Sequence, residues 1–379
     1  MKHYSVIVVG GGTMGSAAAW ALAKRGERAL VLEQFSHVHS FGSHGGKTRI
    51  IRHAYAESPE YVPLVQRAHE LWRDLEAESG ETILCRTGGI ELAAPGFGHA
   101  QSVRASAEAF DLPYEWLPSA EVRHRWPAWN VPDDWDACYT PQAGFLLTEP
   151  AIRALGAAAG RLGAEIHAEE PVDDWGTSGD TVWVRTAKDT YHGDRLIVTA
   201  GAWARQVLAA LGLPLTVLRK VLWWFAVEDP TLYASERFPV FITESSAGSI
   251  YGFPIYEHAG LKIALHSGGT PVTPETVDRT AADDEKMEVL PFAQRMLRGV
   301  TDRVLESAVC LYTMTPDTDF VIDRHPEWPH VVIGAGFSGH GFKFATGIGE
   351  LLADLALDAG AATLPRVSLT RLTAPVESA

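Results

Sequence analysis

SVIVVGGGTMGSAAAWALAKRGERALVLE, residues 5–33, decides the fold. Val6 to Val9 form a β-branched run that suits a strand buried on both faces of a parallel sheet. Gly10, Gly12 and Gly15 follow as G-x-G-x-x-G. Ala17 to Ala23, strong helix formers in the main, predict a helix stopped by Gly26. Ala29 to Leu32 make a second apolar run, closed by Glu33. Each part has a physical job around a dinucleotide. Gly10 permits the tight turn, Gly12 lets backbone approach a pyrophosphate, and Gly15 lets the helix lie close to the strand. The helix N-terminus offers N–H groups and the positive end of its dipole to the phosphates. Glu33 can accept hydrogen bonds from a ribose diol, and its charge disfavours the 2′-phosphate of NADP. The bland alternative is an ordinary glycine-rich turn, but strand, turn, helix, strand and acid in this order favour a dinucleotide. The motif alone leaves NAD and FAD open.

The whole chain of 379 residues exceeds one typical core and predicts two connected lobes. With 46% hydrophobic and 21% charged residues it reads as folded, and a net charge of −15 argues against a nucleic-acid surface. Cys85, Cys138 and Cys310 are too few and scattered for a disulfide framework, so a reducing cytoplasm is expected. No apolar run approaches a membrane span, and the first strand starts too early for a signal peptide.

GSHGGKTRIIRHAY, residues 42–55, gathers Lys47, Arg49 and Arg52 behind glycine-rich backbone. In an acidic chain that is a place to hold an anion; the alternative is a solvated loop. Glu60 to Glu78 predicts an amphipathic helix. Thr87 to Ala93 reads as a strand and Ser102 to Phe110 as a helix. Trp116, Trp126, Trp129 and Trp135 read as packing for the second lobe. A helix over Ala151 to Gly163 precedes strands at Glu165 to Ala168, Thr181 to Thr186 and Arg195 to Thr199, the last running into small residues that let backbone pass close to a cofactor. Val221 to Val227 is an apolar strand. In GLKIALH, Lys262, Ala264 and His266 share one strand face, and spacing alone favours the solvent face of an edge strand. Near the C-terminus, strand Val331 to Ile333 passes through Gly334, Gly336, Gly339 and Gly341 into a helix from about Phe344, a second unit shaped for backbone approach to a cofactor.

These motifs together resemble the monomeric sarcosine oxidase and N-methyl-L-tryptophan oxidase family. The matching stretches are VIVVGGGTMGSAAA, GSHGGKTRIIRHAY, YVPLVQRAHELW, YGFP with GLKIALH, CLYTMTPDTDFVID and GFSGHGFKFATGIGE, spread from residue 5 to about 355. The resemblance implies a glutathione-reductase-like, Rossmann-like FAD-binding domain, α/β in class, with an interleaved antiparallel-sheet substrate domain of α+β type. Residues 1–82, 148–218 and 312–379 would form the first, and 83–147 with 219–311 the second. FAD is the implied cofactor, attached through a thioether from Cys310, which on residue type alone reads as a buried core cysteine. FAD contacts are implied at Gly10, Gly12, Gly15, Glu33, Ser43, Thr48, Val172, Gly201, Gly339, Gly341 and Lys343. Arg52 and Lys343 would hold a substrate carboxylate, Tyr251 and His266 would line the substrate side of the flavin, and Arg49 and Lys262 the oxygen side.

The residue types suit that chemistry. An arginine with a lysine supplies fork geometry and charge for a carboxylate. The implied reaction oxidises an N-methyl amino acid with molecular oxygen, giving the demethylated amino acid, formaldehyde and hydrogen peroxide. Oxidation of cyclic or modified amino acids is the alternative reaction, and a flavin-binding module without turnover the alternative class. The family is expected to be monomeric. This chain departs from the common GSHHGDTR pattern: Gly45 replaces the second histidine and Lys47 the acid. LRKVLWWFAV with Gly268 and Gly269 leans toward the N-methyltryptophan branch.

Overall fold

The computed structural model describes residues 3–257 and 260–373. The opening stretch folds as strand His3–Val9, helix Thr13–Lys24 and strand Ala29–Leu32. These enter an eight-stranded sheet whose order runs Val172–Ser178, Thr181–Thr186, Thr190–Val198, His3–Val9, Ala29–Leu32, Glu165–His167, with Val331–Ala335 also paired to Thr190–Val198 and Val321–Arg324 to Val331–Ala335. The central pairings are parallel, joining His3–Val9 to both neighbours and Thr190–Val198 to Val331–Ala335. Their carboxyl ends therefore share one edge, the place where open α/β sheets bind ligands. Helices Thr13–Lys24, Val62–Ser79, Thr148–Arg161 and Ala345–Leu357 share one hydrophobic core against this sheet.

A nine-stranded sheet forms the second layer, ordered Glu115–Leu117, Asp136–Thr140, Gly89–Ala93, Val240–Ser245, Gly248–Phe253, Leu261–Leu265, Thr216–Val227, Thr270–Pro271. Val300–Met314 pairs along Thr216–Val227, and this long antiparallel partnership is more extensive than the sequence around Cys310 announces. Side chains on a strand alternate between faces. One face carries Ile90, Phe241, Ile263 and Trp223 into an apolar core with Trp129 and Trp135. The other carries, in register, Glu91, Ile242, Tyr251 and Ala264, and beside them Phe253, Lys262 and Trp224. Lys220 stands opposite Cys310 on the same face.

Leu261–Leu265 is thus an interior strand, flanked on both sides. Its Lys262–His266 face is not the solvent face that spacing favours: Lys262 is 2% exposed. The edge reading fails because periodicity fixes which residues share a face but not what covers it. A small third sheet pairs Thr48–Ile51 and Leu84–Arg86 with Gly144–Leu147, and so holds Arg49 at the join between the layers. Among the described residues no helix is long and apolar enough to cross a membrane.

Candidate active site

The carboxyl ends of the parallel strands open into a cavity of about 330 Å³. Gly10, Gly12, Glu33, Val172 and Gly201 line it from the eight-stranded sheet, and Ser43, Arg49, Gly339 and Gly341 from the segments facing it. Gly12 caps helix Thr13–Lys24 without a side-chain hydrogen bond, so the first N–H groups of that helix have no side-chain acceptor. Glu33 accepts from the Gly11 and Phe35 N–H groups at 2.8 and 2.9 Å. Burial pushes its carboxyl up, and those backbone donors pull against it. Gly15 does not line the cavity: a Cβ there would sit 1.9 Å from the Gly10 carbonyl oxygen and 2.7 Å from Thr199 Oγ1. Its contribution is the close seat of helix on turn.

Where the cavity reaches the second sheet it is walled by Leu311, Tyr312 and Thr313. Cys310, next in sequence, is fully buried, with Sγ 3.3 Å from the Ser43 carbonyl oxygen and 3.2 Å from Arg49 Nη2. The Arg49 guanidinium also donates to the carbonyls of Ser43, Gly45 and Thr48 at 2.7–2.8 Å, which fixes it in place.

Lys262 and Thr48 lie behind this wall. Lys262 Nζ donates to the Gly46 carbonyl at 2.6 Å and to Thr48 through its carbonyl and Oγ1 at 3.0 and 2.9 Å. Three oxygens match the three donors of an ammonium. Burial, then the Arg49 charge, holds the group well below the ordinary lysine value. The Trp224 ring lies 5.3 Å from Lys262 Nζ and 5.4 Å from that of Lys47, whose Nζ pairs with Glu306 at 2.5 Å.

A second cavity brings together Arg52, Lys343, Tyr251 and His266, and shares Arg49, Tyr312, Gly339 and Phe342 with the first. Arg52 Nη2 lies 2.9 Å from both oxygens of Glu57, and Nη1 donates to the Ala54 carbonyl at 3.2 Å. Lys343 Nζ donates to the His340 carbonyl at 2.7 Å. Burial, then the Arg52 charge, pushes Lys343 down to about 7. His340 Nε2 lies 3.0 Å from the Thr318 carbonyl, so it carries the proton, and Nδ1 accepts from the Tyr55 hydroxyl at 2.5 Å. Burial lowers His340 to about 4 and His266 to about 3, keeping both neutral near neutral pH. Tyr312 joins Tyr251 and His266 through its hydroxyl, at 3.4 Å to each.

Lys343 lines this second cavity and not the first. Glu57, His99, Tyr312 and His340 also face it, and residue-type patterns do not single them out. Glu57 and His99 stand outside any motif. The glycine-rich run around His340 was the available signal for that residue.

Fold and site define a dinucleotide-binding oxidoreductase architecture, with a glycine cradle on one sheet opening onto an ionised cavity on the other. The chain belongs to the DAO family of FAD dependent oxidoreductases, whose pattern matches residues 5–355. It is 41% identical over 359 residues to a monomeric sarcosine oxidase of Streptomyces avermitilis, covering 93% of this chain and 94% of that one. It is 39% identical over 360 residues to an N-methyl-L-tryptophan oxidase of Yersinia pestis, covering 94% and 95%. The fold matches that of NikD, an amino acid oxidase of nikkomycin biosynthesis, with a TM-score of 0.86 at 23% identity over 97% of this chain and 98% of that one. FAD fits the first cavity on its own chemistry: an open helix N-terminus for the pyrophosphate, a carboxylate at the end of the second strand for the ribose, and a turn too tight for side chains.

Proposed function

We propose that the protein is an FAD-dependent oxidase of secondary amino acids, acting on N-methyl amino acids such as sarcosine or N-methyltryptophan. The products are the primary amino acid, formaldehyde and hydrogen peroxide, from substrate, molecular oxygen and water. The observation that carries this reading is the second cavity, where a buried arginine fork and a lysine lie beside a wall shared with the cofactor cavity. Bound FAD supplies the two-electron acceptor for the C–N bond and the route of those electrons to oxygen.

The residues supply the rest. Arg52 and Lys343 bind the carboxylate and fix where the N-methyl carbon lies, so that position contributes much of the rate. An arriving carboxylate takes the place of Glu57 on the guanidinium fork. Neutral His266 and the high-pKa hydroxyls of Tyr251 and Tyr312 form an uncharged wall that suits a neutral amine. Lys262, whose three oxygen acceptors favour the ammonium against the burial that lowers its pKa, stabilises negative charge developing on oxygen, with Arg49 alongside. Cys310 is the covalent attachment point, a role favoured by its place immediately before the cavity-lining run Leu311–Thr313. FAD contacts are proposed at Gly10, Gly12, Glu33, Ser43, Val172, Gly201, Gly339 and Gly341, which line the first cavity, whereas Gly15, Thr48 and Lys343, also implied by the resemblance, do not line it.

The interleaved two-unit division is likewise proposed, supported by the way the two large sheets take alternate segments of the chain. So is a monomer in the cytoplasm, consistent with three unpaired cysteines. Oxygen uptake with a panel of sarcosine, N-methyltryptophan, proline and pipecolate tests the reaction. Turnover confined to the ring amines would reject demethylation.

A further inference from the structure

Arg52 is held by two carboxylates of different kinds. Glu57 grips its Nη2 through both oxygens from the irregular segment after Thr48–Ile51, and its side chain is 30% exposed. Glu91 pairs with Arg52 through charge: its Oε1 lies 3.4 Å from Nε, a buried nitrogen without a hydrogen-bond partner, and Glu91 is 3% exposed. It projects from the middle of strand Gly89–Ala93, which is paired on both sides, to Val240–Ser245 and to Asp136–Thr140. Its other oxygen lies 2.6 Å from Nε2 of His99, the first residue of helix His99–Ala109, whose backbone N–H is tied to Glu244 at 3.1 Å. Glu57 keeps part of its side chain open and lines the second cavity, where a ligand would lie; Glu91 is buried, and the strand fixes its backbone.

That difference matters on the reading of Arg52 and Lys343 as a carboxylate clamp, on which this inference rests. A ligand carboxylate that exchanges with Glu57 leaves the charge beside Arg52 unchanged. It removes the contact that holds the fork, however, and a guanidinium on a flexible stem then needs another anchor. We infer that Glu91, oriented by His99, is the standing counter-ion that keeps Arg52 aimed into the second cavity while Glu57 and the ligand exchange: a positioning pair for ligand binding. Glu57 is then a competitor and Glu91 a support, so removing their charges acts in opposite directions. Burial alone would push the His99 imidazolium down, but the Glu91 charge and hydrogen bond outweigh it and raise it.

The test is the Kd of propionate for the purified holoenzyme, followed by the flavin absorbance, together with the KM and kcat for sarcosine. Glu91→Gln is expected to weaken propionate by about tenfold, because the guanidinium loses its fixed anchor and the ligand must order it, a cost that exceeds the gain from the removed negative charge. Glu57→Gln is expected to tighten it. With sarcosine, Glu91→Gln raises KM while kcat at saturation stays within about threefold, since the chemistry is untouched once Arg52 is engaged. Equal Kd values for Glu91→Gln and the wild type, or shifts of the same sign for Glu57→Gln and Glu91→Gln, overturn the inference. If Glu91→Gln does not fold, His99→Gln decides: it should weaken propionate, and an unchanged Kd refutes the pair. A wild type that binds propionate but oxidises no N-methyl amino acid would instead reject the proposed reaction and leave the positioning pair standing.

Discussion

Lys343 should give carboxylate binding a pH dependence that its removal abolishes. Its ammonium, pushed down to about 7 by burial and by Arg52, prevails below that pH and is lost as pH rises through it. A carboxylate binds the charged form better, so affinity is full on the acid side and declines on the alkaline side. Propionate is the ligand of choice, because it has no amine and its own carboxyl is ionised from about pH 6 upward. A hydrogen bond to a charged group is worth about 1.5–3 kcal/mol, or roughly 10- to 150-fold in Kd. Titration of the holoenzyme should therefore show a flat Kd at acid pH, a rise of up to about tenfold per pH unit above the Lys343 value, and a plateau at that total. His266 and His340, held at about 3 and 4, stay neutral throughout, and Glu57, held well below the usual carboxylate range by Arg52 against its own burial, stays ionised. His99 loses charge in the same direction as Lys343, so the variant supplies the separation: Lys343→Met should bind propionate weakly at every pH, with the step gone. A wild-type curve without the step, or a step that survives in Lys343→Met, would refute the clamp as drawn.

Four further outcomes follow from the same geometry. After acid precipitation, yellow colour should stay with the wild-type pellet and pass to the supernatant in Cys310→Ala; release from both would remove the thioether. Lys262→Met should slow reoxidation of the reduced enzyme by oxygen about tenfold or more while anaerobic reduction by substrate is spared, and stopped-flow traces with equal reoxidation rates would reject its place on the oxygen side. Gly15→Ala forces a Cβ to within 1.9 Å of a backbone oxygen that cannot give way, which should cost about 1–3 kcal/mol and lower Tm. Gly12→Ala, whose Cβ meets nothing nearer than His44 at 3.9 Å, should keep Tm in the apoprotein and lose FAD affinity instead.

How much of this is legible in the sequence depends on how far apart the cooperating residues lie. The cradle from Val6 to Glu33 is local, and its turn, helix and closing acid stand in the fold where the pattern puts them. Lys262 and His266 are intermediate cases. Period two puts them on one face, but the strands that bury that face, Thr216–Val227 and Gly248–Phe253, start at distant points in the chain. Arg52 stands out as part of a basic cluster suited to an anion, but its pairing with Lys343 and any role for Cys310 come only through the family resemblance, because a lone lysine or cysteine has no periodic signature. Glu57, Glu91 and His99 stay hidden even then. Glu91 leaves one trace, a carboxylate between Ile90 and Leu92 in an otherwise apolar strand, and only the fold shows that Arg52 and His99 neutralise it. Lys47 is legible as a departure from the family pattern, and the structure adds its partner, Glu306.

The alternation of faces across the nine-stranded sheet also limits how this lineage can change. A one-residue slip in the register of Leu261–Leu265 would turn Leu261, Ile263 and Leu265 to the face that carries Tyr251 and drive Lys262 into the aromatic core around Trp223 and Phe225. Length changes are consequently confined to the connections between strands. Substitution at Ile242 or Ser249, by contrast, reshapes the second cavity from its wall without moving the glycine cradle, which hangs from the ends of different strands in the other sheet. Point replacement at the cavity wall thus leaves the frame intact, whereas a length change inside a strand would reverse the faces on one side of it.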